Sequence, residues 1–133
     1  MGGMVNEERA IERVKVLRDK GYNCAQAVAC TFAEVVNLEE RLLWRLSQGF
    51  GGGMGGYEGT CGALSGAIMV LSYLNSNQKS KEEVYAIVKE LFDQFEEHFG
   101  TTVCKGLKEE ELCSECIEMG VRFAERLIKR GTP

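Results

Sequence analysis

The sequence predicts an all-α protein, a single bundle of about six helices with a glycine-rich loop between the third and fourth, and three observations carry that prediction. Apolar residues recur at spacings of three and four along most of the 133-residue chain. Polar pairs three residues apart, of the kind that form capping boxes, stand where three of the apolar runs begin. No run of useful length alternates apolar and polar residues with a period of two, and a single proline leaves the helical runs little interrupted. With 44% hydrophobic residues and a length near the usual domain size, one domain over residues 1–133 is expected.

Taken in order, Val5, Ala10, Ile11, Val14 and Leu17 make one stripe of a first helix over 5–20, with Asn6 as its cap and Gly21 as its stop. Residues 1–4 are expected to be a disordered N-terminus. Asn23 and Gln26 open a second helix from Cys24 to about Val36. Asn37 and Glu40 repeat the signal for a third, through Leu42, Leu43 and Leu46, ending before Gly49. Residues 49–59 read GFGGGMGGYEG, seven glycines in eleven positions, a density that predicts a loop with unusual backbone angles. Thr60 is placed to cap a fourth helix that is apolar on nearly every side from Ala63 to Leu74, as suits the middle of a bundle or the seam of a homodimer. Gly62 and Gly66, four apart on it, would let a neighbouring backbone approach closely. Ser80 and Glu83 open a fifth helix with the stripe Val84, Val88, Leu91, Phe95 and Phe99 and the stop Gly100. After the irregular TTVCKGLK comes a last helix, from about Glu109 to Arg130, on which Glu109 to Glu111 cap and solvate the start.

Composition narrows the function. A formal charge of −4 and a pI near 5.2 argue against a nucleic-acid partner held by bulk charge. The longest apolar stretch, around Ala67 to Leu71, is far short of the roughly 20 residues that cross a membrane, so no membrane role is expected. No signal peptide, twin-arginine segment or lipidation pattern stands at Met1, and a cytoplasmic location is the expectation. The one histidine, His98, sits at a helix C-terminus, where a cation suits the helix dipole, and no G-x-S-x-G accompanies it for a serine triad. The glycine run lacks the lysine of a nucleotide-binding loop. Tyr57 and Glu58 read as loop decoration.

Six cysteines are the main lead. Cys24 follows the cap Asn23 and Cys61 follows the cap Thr60, so both are expected as the first residue of a helix. Free backbone N–H groups and the positive end of the dipole favour a thiolate there, which is a nucleophile or a metal ligand. Glycines around them, Gly52, Gly53, Gly62 and Gly66, permit close approach to a cofactor or a second thiol. Cys113 and Cys116 form a C-x-x-C whose sulfurs share one helix face, in reach of a common metal or of each other. No β-α-β pattern surrounds them, which removes a thioredoxin fold. Cys104, in the irregular segment, can swing toward any of these, and Cys30 reads as core filler.

These residues carry a resemblance. G-Y-N-C-A-Q-A-V from Gly21 to Val28, F-G-G-G-M-G from Phe50 to Gly55, C-G-A-L-S-G from Cys61 to Gly66, then Cys104 and a cysteine near Cys116, resemble the redox-active protein family named for its cysteine pattern, C_GCAxxG_C_C, over essentially the whole chain. The resemblance implies that Cys24, Cys61, Cys104 and one of the last two cysteines, Cys116 ahead of Cys113, are the four family cysteines. Some members resemble exported, cofactor-carrying proteins with a twin-arginine signal, a segment this chain lacks. Two functions follow as expectations. In one, the four cysteines converge and either cycle between dithiol and disulfide with a redox partner protein or bind zinc or an iron–sulfur cluster, with Cys113 as the substitute ligand. In the other, the thiols are structural, and a non-catalytic helical module binds a small ligand or partner. Catalysis by one activated cysteine lacks an evident base.

Overall fold

The chain is described by a computed structural model over residues 7–131; Asn6, Val5 and the stretch 1–4 lie outside the described residues. Among the described residues eight helices follow one another: α1 Glu7–Asp19, α2 Cys24–Thr31, α3 Ala33–Val36, α4 Glu40–Ser47, α5 Gly62–Ser76, α6 Lys81–Phe99, α7 Cys104–Glu109 and α8 Cys113–Arg130. The described residues hold no strand, only one antiparallel bridge between Thr60 and Val103. All-α is therefore correct, while the expected six helices become eight.

Local chemistry explains both agreement and difference. Asn23 and Gln26 close a full capping box at the start of α2, as Ser80 and Glu83 do for α6. Gly21 and Gly100 take left-handed angles, φ 94° and φ 83°, at the ends of α1 and α6. The second predicted helix breaks at Phe32 (φ −99°, ψ 16°), a fully buried ring, leaving α3 as a separate turn. Asn37 is not the cap of the next helix; it ends α3 in the left-handed region (φ 56°), and Glu39 precedes α4 without a side-chain cap. Part of the irregular segment forms α7, so α8 begins at Cys113. Glu109 to Glu111 make the turn between them, with Glu111 left-handed at φ 59°, instead of capping α8.

The glycine run is neither an ordinary helix nor a slack loop. Gln48–Phe50 form a 3-10 turn. Then Gly52, Gly53, Met54 and Gly55 all have positive φ, between 61° and 83°, and wind one left-handed turn closed by Gly55 N–H donating to Gly51 O at 3.1 Å. Left-handed winding costs an ordinary L-residue roughly 1–2 kcal/mol per position, which is why glycine fills three of the four.

α5 is the centre of the molecule, packed on α2, α8 and α6, while α1 closes the far side against α2 and α8. The fully apolar segment predicted for the bundle's middle lies there, buried from Gly62 to Ala67. Backbone meets backbone on two sides of it: a Cβ added at Gly66 would stand 2.7 Å from Ala25 O of α2, and one at Gly120 of α8 would stand 3.2 Å from Ala63 O. No helix among the described residues is long and apolar enough to cross a membrane.

Candidate functional site

Two backbone hydrogen bonds define where the thiols meet. Cys61 N–H donates to Thr102 O at 2.7 Å, and Cys104 N–H donates to Gly59 O at 2.9 Å, so the Thr60–Val103 bridge clamps the start of α5 beside the start of α7. This clamp pulls Thr60 out of the cap position predicted for it and makes Cys61 itself the N-cap of α5. Cys61 is thus one residue earlier in the helix than expected, while Cys24 is, as expected, the first residue of α2.

As the residue before the helix, Cys61 turns its sulfur toward Cys116 and toward the free N–H groups of Ala63 and Leu64. The neutral thiol makes no cap hydrogen bond of full geometry, yet the surroundings favour the thiolate. The hydrogen bond from Cys116, outweighing burial and aided by the Ala63 and Leu64 N–H groups, brings the Cys61 thiol down to about 7. Cys116, as the donor of that bond, has its own pKa pushed up, with burial adding to the shift. The two therefore hold two protons between them below about pH 7 and one above it.

The other cysteines divide into near and far. Cys104 is buried, which raises its pKa, and the charges of Cys61, Cys24 and Cys113 all act on it. Cys24, half-buried, sets its sulfur against Gly62, where an added Cβ would lie only 2.3 Å away. Cys113 is exposed at the start of α8, one turn before the buried Cys116. Cys30 is core filler, as expected: burial lifts its pKa to about 12, and its thiol points to Glu40 O at 3.5 Å.

The four glycines expected to bind a cofactor stand where side chains and backbone crowd together. The space that a side chain would take at Gly53 is filled by Cys104 Cβ at 2.3 Å, at Gly62 by the Cys24 sulfur, and at Gly66 by the backbone of α2. Gly52 faces the ring of Tyr57, which in turn lies 4.2 Å beneath the Lys108 ammonium. These glycines bring thiols and helices together. No group of three His, Cys, Asp or Glu side chains among the described residues is placed to hold a metal ion. Cys24, Cys61, Cys104 and Cys116, with Cys113 as substitute, thus form no preassembled set of three zinc or iron–sulfur ligands among the described residues.

Two neighbouring features complete the surroundings. His98 Nε2 lies 3.6 Å from Glu115 Oε1, and its ring meets Phe99 and Phe123 edge-on, an assignment the sequence did not contain. Beyond Thr60 and Ser65 opens a groove of about 960 Å³ whose walls include Leu46, Phe50, Met54, Ile68, Met69 and Tyr73 and no charged side chain. What sequence reading missed is the clamp, whose one signal is the β-branched run Thr101-Thr102-Val103 ahead of Cys104.

Fold and site together define an all-α protein built around a buried cluster of cysteines. The chain belongs to the C_GCAxxG_C_C family: the family model described as "Putative redox-active protein (C_GCAxxG_C_C)" matches residues 22–127, a span that holds all six cysteines. No curated protein and no solved structure matches the chain.

Proposed function

We propose that the protein is a dithiol–disulfide redox protein whose working pair is Cys61 and Cys116. The observation that carries this is the burial of two interacting thiols, Cys61 at the start of α5 and Cys116 on α8, with Cys61 poised to ionise near neutral pH. In the reduced state the pair is a dithiol below about pH 7 and a thiol beside a thiolate above it. Oxidation joins the two sulfurs, removes two electrons and the one or two protons the pair then holds, and passes the electrons to a redox partner protein. A Cys61 thiolate stabilised in this way is a good leaving group, so the disulfide opens stepwise by attack on the Cys116 sulfur with Cys61 released. Membership of a redox-active family supports the same class of function.

Mass-spectrometric mapping of disulfides on folded protein, paired with a free-thiol count before and after reduction, tests the reading. Oxidised protein should carry a Cys61–Cys116 link and gain two thiols on reduction; Cys61→Ser should abolish that link and Cys30→Ser should leave it intact. Six free thiols throughout a redox-buffer titration, or Cys61→Ser and Cys30→Ser variants that differ from the parent only in stability, would overturn it.

The uncharged groove beside Thr60 favours one second reading, a module that binds a neutral apolar ligand while the thiols serve packing. Titration with a neutral hydrophobic dye separates the two. Saturable binding that is abolished by Met69→Glu and indifferent to the oxidation state supports the binding module.

A further inference from the structure

Cys61 and Cys116 are 6% and 1% exposed, so neither can meet a thiol carried on another molecule, and electrons must reach the pair through a sulfur that solvent can touch. Cys113 meets that need. It is exposed, it begins an 18-residue helix, and it stands three residues before Cys116, where side chains on consecutive turns are neighbours. Its charge acts on both Cys104 and Cys116, which places its sulfur within electrostatic reach of the buried cluster. An exposed first cysteine and a buried second cysteine in a C-x-x-C at a helix start is an arrangement that supports thiol–disulfide exchange whatever the surrounding fold. The rival, Cys24, is half-buried and seated on Gly62, with nothing linking it to Cys116.

We propose that Cys113 is the exchange thiol through which the Cys61–Cys116 disulfide is reduced, and that its co-substrate is an external thiol. The proposal rests on the dithiol–disulfide reading above. In the first step the Cys113 thiolate, its proton lost to solvent, attacks the Cys116 sulfur. The 113–116 bond forms, the 61–116 bond breaks, and the electron pair leaves on Cys61, where the Ala63 and Leu64 N–H groups receive it. An external thiolate then attacks the exposed Cys113 sulfur, forming a mixed disulfide and releasing Cys116, which takes up a proton. A second external thiolate attacks the external sulfur and frees Cys113. The balance is one protein disulfide and two external thiols converted to one protein dithiol and one external disulfide. Exposed Glu109, Glu110, Glu111 and Glu115 stand within four residues of Cys113 and are opposed by Lys108 and by Lys15 and Arg18, which line one pocket with Ser114 and Glu115, so charge there is mixed and a small thiol carrier suits it.

The test is the rate at which cysteamine, a small cationic thiol, reduces the oxidised full-length protein. Cys113→Ser should slow reduction by about tenfold or more, because exchange rate follows thiol access, while leaving the midpoint potential of the Cys61–Cys116 pair unchanged. A Cys116→Ser variant, which lacks the neighbouring thiol that would resolve it, should carry the mixed disulfide on Cys113 after treatment with oxidised cysteamine. An unchanged rate in Cys113→Ser, or slowing by Cys24→Ser instead, overturns the exchange role and leaves the working pair standing. Absence of any Cys61–Cys116 disulfide in the unmodified protein overturns both.

Discussion

At Cys61 a single side chain combines three influences of different sign: a donor thiol, two free helix N–H groups, and burial that opposes charge. The donor is the largest, so Cys116→Ala should raise the Cys61 pKa from about 7 toward the ordinary thiol range, with each unit corresponding to about 1.4 kcal/mol. Thiolate ultraviolet absorbance, taken as the difference between Cys116→Ala and Cys116→Ala/Cys61→Ser, reads that shift; no movement would show that the helix N–H groups alone hold the thiolate. The same pair fixes a pH dependence. Folding lowers the Cys61 pKa, so its contribution to stability is full above the unfolded value near 9 and fades as pH falls through about 7. Folding raises the Cys116 pKa, so its contribution is full below the unfolded value and is lost as pH climbs beyond it. Reduced protein should therefore gain stability from these thiols between about pH 7 and 9 and lose it again at higher pH.

Between elements, the site depends on how closely α2 and α5 approach. An added Cβ at Gly62 would meet the Cys24 sulfur at 2.3 Å and Phe50 O at 3.0 Å, whereas one at Gly49 would meet nothing within 4 Å. Gly62→Ala should thus cost roughly 1–3 kcal/mol by overpacking, and Gly49→Ala should be close to neutral, in chemical denaturation of the two variants. Elements set by local chemistry were legible in the sequence: the boxes at Asn23 and Ser80, the glycine stops, and the apolar run that became the centre of α5. Elements set by distant partners were not. Nothing near Thr60 announces that Val103 will pair with it, yet that bridge moves the helix start to Cys61 and seats Cys104 beside it. The glycine run was readable as unusual backbone; its left-handed winding depends on Asn23, Tyr57 and Cys104 filling the space around it. Equally, the spacing of Cys113 and Cys116 could not tell which faces inward, because that depends on how α8 lies against α5.

At the scale of the whole molecule, α8 joins the thiol site at its start to the packing of α1 at its end. Glu7 of α1 pairs with Arg122 at 3.0 Å and Arg126 at 2.8 Å, and the Arg126 hydrogen bond leads in holding the Glu7 carboxyl below its ordinary range. Partly exposed pairs of this kind contribute little each, about 0–1 kcal/mol. Glu125, between those two arginines in the sequence, is different: it is fully buried and neither carboxylate oxygen has a hydrogen-bond partner. Lys129 Nζ stands 3.6 Å away and is itself half-exposed, while the negative charge of Glu7 adds to the strain on an ionised Glu125. Burial is the leading cause that raises the Glu125 pKa, outweighing the attraction to Lys129. The sign follows from linkage: a carboxyl whose pKa is higher in the fold than in the unfolded chain favours folding at acid pH, and that benefit is lost as pH rises through the folded value. Glu125→Met, which fills the same space without a polar atom, should stabilise the protein at neutral pH by roughly 1–3 kcal/mol, the cost of a buried unpaired group. The gain should shrink as the pH is lowered into the range where Glu125 is protonated. Denaturant unfolding of both proteins across that range measures it, and a gain that is constant with pH would mean that Glu125 titrates in the fold as it does in the unfolded chain and that packing alone separates the two.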